Sequence, residues 1–89
     1  MSTTADAPPR ERLSETEYRE RLRELPPSAK LVAKVLEGDA PLSQGRLAEE
    51  TLLPDRTVRY ALKRLEESDI VGSRYSFKDA RKQVYFLRT

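Results

Sequence analysis

At 89 residues with no cysteine and no histidine, the chain is expected to form one small domain without disulfides, a thiolate metal site or the usual imidazole base. Its 37% hydrophobic content suffices for a compact core, and no apolar run approaches the roughly 18 residues of a membrane span, so a cytoplasmic address is expected. The net charge is only +2, but residues 55–89 carry nine Lys or Arg against five Asp or Glu, a bias that suggests a polyanionic partner.

In chain order, residues 1–9 (MSTTADAPP) are small, polar and proline-bearing and read as a disordered tail. A first helix is predicted within residues 10–25, through about Glu11 to Leu25, with Ser14 and Glu17 at capping-box spacing. Tyr18, Leu22 and Leu25 form a narrow stripe on it, with Arg and Glu on the other faces. Such a stripe outside a minimal core suits a dimer seam, so these three residues are predicted to dimerise the chain. Pro26-Pro27 ends this helix. A second helix, about Ala29 to Glu37, is predicted with Ser28 as its cap and Gly38 as its stop. Its apolar face is Leu31, Val32, Val35 and Leu36.

"DAPLS" reads as a short extended connector. A third helix, about Gln44 to Thr51, follows with Ser43 as cap and Leu47 and Ala48 inward. "LLP" breaks the chain before a fourth helix, about Arg56 to Ser68, capped by Asp55. The period then changes from helical to alternating. "IVGSRYSF" and "KQVYFLR" are rich in aromatic and β-branched residues and flank Lys78-Asp79-Ala80-Arg81, which predicts a hairpin with a tight turn. Tyr75, Phe77, Tyr85 and Leu87 are expected to serve the core and strand pairing. The fold class expected is mainly α with a small antiparallel β-hairpin.

On a helical wheel Val58, Ala61, Leu62 and Leu65 fall within about 60° of one another, a core stripe. Arg56, Tyr60 and Lys63 lie near the opposite pole, with Arg59 and Arg64 on the flanks. Cations in a first turn oppose the helix macrodipole, so local stability does not explain Arg56 and Arg59. An approaching anion does: it meets free backbone N–H groups, two guanidinium groups, the Thr57 hydroxyl and Tyr60. Helix, turn and a second helix with a cationic N-terminus make a helix-turn-helix, whose second helix enters a DNA major groove. The hairpin behind it, with Lys78, Arg81 and Lys82 at its turn, makes a wing that reaches a phosphate or the minor groove. Ser43 and Gln44, at the start of the third helix, are further candidate phosphate contacts.

Residues 26–88 resemble the MarR-like winged helix-turn-helix regulators, especially small single-domain archaeal ones. The likeness rests on "PPSAKLVAKVLE", "LSQGRLAEETLLPDRTVRYALKRLEESDIV" and "KDARKQVYFL". It implies double-stranded DNA binding, a homodimer on an inverted repeat, and control of transcription, with residues 55–68 as recognition helix and residues 70–88 as wing. Many such proteins have Gly in the turn and after the recognition helix, where this chain has Leu52 and Asp69. Asp tolerates a left-handed backbone and Leu does not, so Thr51–Pro54 is expected to turn with ordinary φ, or the third helix to run longer.

Domain organisation thus reads as a tail (1–9), an N-terminal helix (10–25) and a winged helix-turn-helix domain (26–89). Catalysis is not expected: the acids are spread beside Lys and Arg, and three glycines make no phosphate loop. No cofactor or metal is expected, and no small-molecule ligand is evident. The alternative functions are a protein-interaction winged helix inside a larger assembly, and RNA binding through the same basic face.

Overall fold

The computed structural model describes residues 12–89. The predicted tail, and the first residues of the predicted N-terminal helix, lie outside them. Four helices and a three-stranded antiparallel sheet follow in the order α1 (Glu15–Arg23), α2 (Pro27–Gly38), β1 (Leu42–Ser43), α3 (Gln44–Thr51), α4 (Asp55–Glu67), β2 (Val71–Tyr75) and β3 (Gln83–Leu87). Among the described residues no helix is long and apolar enough to cross a membrane.

Each helix starts for a local reason. At α1 the capping box forms in full: the Ser14 hydroxyl accepts from the Glu17 N–H at 3.1 Å, and the Ser14 N–H donates to Glu17 Oε1 at 3.0 Å. That backbone donor, with the Ser14 hydroxyl, holds the Glu17 carboxyl below the usual carboxylate range. At α2 and α4 the predicted side-chain caps are wrong. The N-caps are Pro26 and Pro54, both extended, and neither end has a side-chain cap. Proline's fixed φ presets the entry, so the helices begin before Ser28 and at Asp55, and both residues lie inside the first turn. Gly38 is the last helical residue of α2, followed by Asp39 as cap.

The core forms where these faces meet. Ala29, Val32, Ala33 and Leu36 of α2 pack against Val58, Ala61, Leu62 and Leu65 of α4, with Leu47, Ile70 and Val71 closing the cluster. Leu31, expected in this core, is exposed on the other side of α2. Small residues on α2 let the two backbones approach, and each fully buried Val or Leu is worth roughly 1.5–3 kcal/mol before entropy is subtracted. The sheet order is β1-β3-β2, so the extended connector became a strand: Leu42 pairs with Tyr85 and Ser43 with Val84. The β2–β3 ladder runs from Val71 opposite Leu87 to Tyr75 opposite Gln83. Gly72 faces Phe86, where an added Cβ would lie 2.8 Å from the ring, so only glycine lets that ring lie across the ladder.

The predicted dimer stripe belongs to this core. Tyr18, Leu22 and Leu25 are 6%, 8% and 6% exposed and pack in the chain's own cluster. The Tyr18 hydroxyl donates to the Glu37 carboxylate on α2. Burial, and then that bond, push the Tyr18 hydroxyl's pKa well above its ordinary value. The stripe is narrow because α1 spans one side of a small domain.

The turn between α3 and α4 also departs from expectation. Leu52 has φ 62°, in the left-handed region, and donates its N–H to the Ala48 carbonyl at 2.9 Å. Thr51 holds it there. Its buried hydroxyl donates to the Leu47 carbonyl at 2.6 Å and accepts from the Leu53 N–H at 3.3 Å, while Leu53 packs on the core. The Leu52 side chain is 88% exposed, so no packing compensates its backbone. Asp69 takes the same region at φ 59°, as its short polar side chain allows.

Leu22→Glu should place an unpaired carboxylate in the core and cost roughly 3–5 kcal/mol, much of a small domain's stability. Urea unfolding followed by circular dichroism reads it; a parental midpoint would return the stripe to the surface. Leu52→Gly should raise stability by about 0.5–1 kcal/mol, because left-handed strain on leucine exceeds the entropy cost of glycine. A lowered midpoint would show that the Leu52 side chain contributes to the fold.

Candidate nucleic-acid interface

Burial of the apolar stripe of α4 fixes which way its cations point. Arg56, Arg59 and Lys63 are exposed, and among the described residues none of the three has an ion-pair or side-chain hydrogen-bond partner. Thr57 is half-buried beside them. The N-terminal end of α4 has no side-chain cap, so its first backbone N–H groups face outward beside Arg56 and Arg59. Asp55 in the first turn satisfies the macrodipole and places one negative charge at this end.

Tyr60 and Arg64 behave differently from the other three. Arg64 donates to the Tyr60 hydroxyl at 2.9 Å, its guanidinium lies 5.9 Å from the ring centroid, and it reaches Glu67 at 4.0 Å. Arg64 is half-buried and already engaged, and Tyr60, 49% exposed, is held upright against it. The predicted set therefore divides into three free cations and one internally bonded pair.

At the start of α3 the Ser43 hydroxyl accepts from the Arg46 N–H at 3.2 Å, as predicted for a cap, and its own O–H remains able to donate to an anion. Arg46 is exposed but bound to Glu49 and Glu50 at 3.5 and 3.2 Å. Because β1 pairs with β3, the wing returns beside α3: Ser43 and Gln44 line one shallow groove with Arg81, Lys82 and Gln83. Two parts of the candidate interface that are distant in sequence thus share one groove.

The wing loop, residues 76–82, is longer than the predicted tight turn. It is closed by the Ser76 N–H donating to the Lys82 carbonyl at 2.8 Å and the Lys82 N–H donating to the Asp79 carbonyl at 2.9 Å. Lys78, Arg81 and Lys82 are exposed on it, and Arg81 reaches the Asp79 carboxylate at 3.4 Å. Tyr75 serves strand pairing as expected, opposite Gln83, but it and Phe77 are 60% and 95% exposed and not in the core, because the hairpin tip extends past the helices that would cover them. Tyr85 and Leu87, nearer the body, do pack against the core. Arg74 was missed from the sequence; it is exposed with its guanidinium 5.3 Å from the Phe77 ring centroid. Among the described residues no three Asp, Glu, His or Cys come together as a metal site.

The far end of α4 is anchored to α1. Arg21 donates to the Ser68 carbonyl at 2.8 Å and lies 3.9 Å from Asp69, which Arg88 also approaches at 3.8 Å. Cations at a helix C-terminus are electrostatically favourable, and here they come from other elements.

Helix, turn, helix and a paired hairpin, in this order and with this sheet, decide the architecture. The chain has a winged helix-turn-helix fold. Residues 33–71 match a family described as winged helix-turn-helix DNA-binding. Among solved structures, the S. aureus MepR–DNA complex is similar at 17% identity with a TM-score of 0.68, covering 82% of this chain and 62% of that one. Bordetella bronchiseptica BpsR, whose DNA binding is regulated by 6-hydroxynicotinic acid, is similar at 18% identity and TM-score 0.69, covering 81% of this chain and 58% of that one. Lactococcus lactis ZitR, a zinc-responsive MarR family member, is similar at 23% identity and TM-score 0.65, covering 72% of this chain and 44% of that one. At these identities the likeness is one of fold, and the winged helix spans less than two thirds of each of these chains. No curated protein matches the sequence.

Proposed function

We propose that this winged helix binds double-stranded DNA with sequence preference and regulates transcription. The observation that carries the reading is the outward face of α4, where Arg56, Arg59 and Lys63 are exposed without partners among the described residues, beside an uncapped helix N-terminus. Unpaired cations there oppose the local dipole, and a duplex supplies the missing anions and base edges. Arg56 and Arg59 read bases, with Thr57 and Tyr60 beside them, while Lys63 contacts phosphate. Arg64 holds Tyr60 in place. Ser43, Gln44, Lys78, Arg81 and Lys82 contact the backbone on either side of the shared groove. The role is binding and not catalysis, in keeping with a cytoplasmic regulator.

A homodimer on an inverted repeat is part of the same reading, since two recognition helices one duplex turn apart would read two half-sites. With Tyr18, Leu22 and Leu25 inside the chain, its seam uses other surfaces. Sedimentation at tens of micromolar reads the oligomeric state, and a monomer there refutes the dimer. Selection of bound sequences from a random duplex pool at physiological salt tests the whole reading. An inverted repeat is the expected product. Equal recovery of all sequences would leave only non-specific binding, and a preference for RNA or for an acidic protein would replace the reading.

Arg56→Ala and Arg59→Ala should each weaken binding to the selected duplex by roughly 1–3 kcal/mol without changing thermal stability. Gel-shift titrations giving parental affinity for both variants would remove α4 from the interface. Arg81→Ala with Lys82→Ala should weaken all sequences about equally and flatten the plot of log affinity against log salt by up to about two units. A loss confined to one sequence would mean that the wing cations read bases.

A further inference from the structure

Phe77 is the most exposed large apolar side chain of the described residues, at 95%, and it sits on the tip of a cationic hairpin. Lone exposed apolar residues are ordinary on protein surfaces. This one differs in its setting. The loop carrying it is closed by internal bonds: the Ser76 N–H to Lys82, the Lys78 N–H to the Ser76 hydroxyl at 3.1 Å, and the Arg81 N–H to the Asp79 carboxylate at 3.0 Å. The ring is therefore presented by an ordered turn. Arg74, Lys78, Arg81 and Lys82 surround it in sequence against the single acid Asp79. The Arg74 guanidinium lies 5.3 Å from the ring centroid, which places a cation beside the aromatic group.

The neighbouring surface identifies the occupant. Arg81 and Lys82 share a groove with Ser43 and Gln44, so the hairpin is continuous with the proposed DNA-binding face. When those cations meet phosphates, a ring at the tip reaches past the backbone toward the stacked bases, the apolar part of a duplex. Apolar side chains inserted between base steps from the minor groove unstack them and bend the helix, most readily at pyrimidine–purine steps. We propose that Phe77 is such a wedge: it enters the minor groove beside the wing and stacks on bases there, while Arg74 moves with it toward the adjoining phosphates. The proposal rests on the DNA-binding reading above and adds a bend and a shape preference to it.

The test uses the whole chain with the duplex recovered from the random pool, carrying 2-aminopurine in turn at adenines of the flanking steps and a dye at each end. The parent chain should brighten one or two of these probes and shorten the end-to-end distance. Phe77→Ala, whose side chain touches little of the fold, should abolish both signals and weaken binding roughly five- to a hundredfold, with an unchanged salt slope because no charge is lost. Phe77→Leu should keep part of the bend. Parental affinity and fluorescence in Phe77→Ala would overturn the wedge while leaving DNA binding intact. No duplex binding by the parent chain would overturn the DNA-binding reading itself, and the wedge with it. If Phe77→Ala lost binding to phosphatidylserine vesicles but kept the bend, the ring would be a lipid contact and the proposal would fail.

Discussion

The apolar stripe of α4 must be buried, and α2 is the surface that buries it. Val58, Ala61, Leu62 and Leu65 are all at or near zero exposure against Val32, Ala33 and Leu36. A helix 13 residues long is marginal alone in water, so this packing is what makes α4 a helix. It also fixes rotation about the helix axis. With the stripe inward, Arg56, Arg59 and Lys63 have one direction left, and side chains that would rank as unrelated surface charges become a single face. The same packing sets the position of the wing, because β2 leaves the end of α4 through Ile70 and Val71, both buried in the same cluster.

Electrostatics then sorts that surface. Half of the described basic side chains on helices are engaged with acids: Arg19 with Glu15, Arg21 with Asp69, Lys34 with Glu37, Arg46 with Glu49 and Glu50, Arg64 with Glu67. Exposed pairs of this kind contribute little stability, about 0–1 kcal/mol each, but they neutralise their surroundings. Among the unengaged remainder, Arg56, Arg59 and Lys63 stand together on one face of α4. Their charge is not spent on a neighbour, so it remains available to a phosphate, and release of condensed counterions from a duplex would favour the encounter.

Helix existence and the recognition stripe were legible in the sequence because a 3.6-residue period over 13 residues is a strong signal. The sheet was half legible. The hairpin followed from aromatic and β-branched runs, whereas β1, two residues long, has too little sequence to show a period. What failed were features set by tertiary context. Tyr18, Leu22 and Leu25 have the spacing of a seam and of a core face alike, and only the position of α1 over α2 separates the two. Phe77 has strand-like composition, but the distance from the hairpin tip to the helices decides its exposure. Leu52 is a local misfit tolerated because Thr51 bonds on both sides of it. The outward placement of the α4 cations was legible, since it depends only on the stripe opposite them; what the sequence could not separate was Arg64, engaged with Tyr60, from its neighbours.

The clamp at the end of α4 joins these arguments. Asp69 occupies the left-handed position that ends the helix, and its carboxylate draws Arg21 from α1 and Arg88 from the end of the sheet. Both pairs are long and exposed, so their energy is small. Their geometric effect is larger, because Arg21 also donates to the Ser68 carbonyl, one of the orphan acceptors of the helix terminus. An aspartate in the place where glycine would relieve strain therefore does something glycine cannot: it ties the terminus of α4 to the first helix and to the end of the sheet. Together with Tyr18 bonded to Glu37, this makes α1 a brace across the back of the domain, with its apolar stripe seated in the core and its polar ends fixed to α2 and α4. The face that carries Arg56 and Arg59 is thus held from behind by a helix that touches none of it.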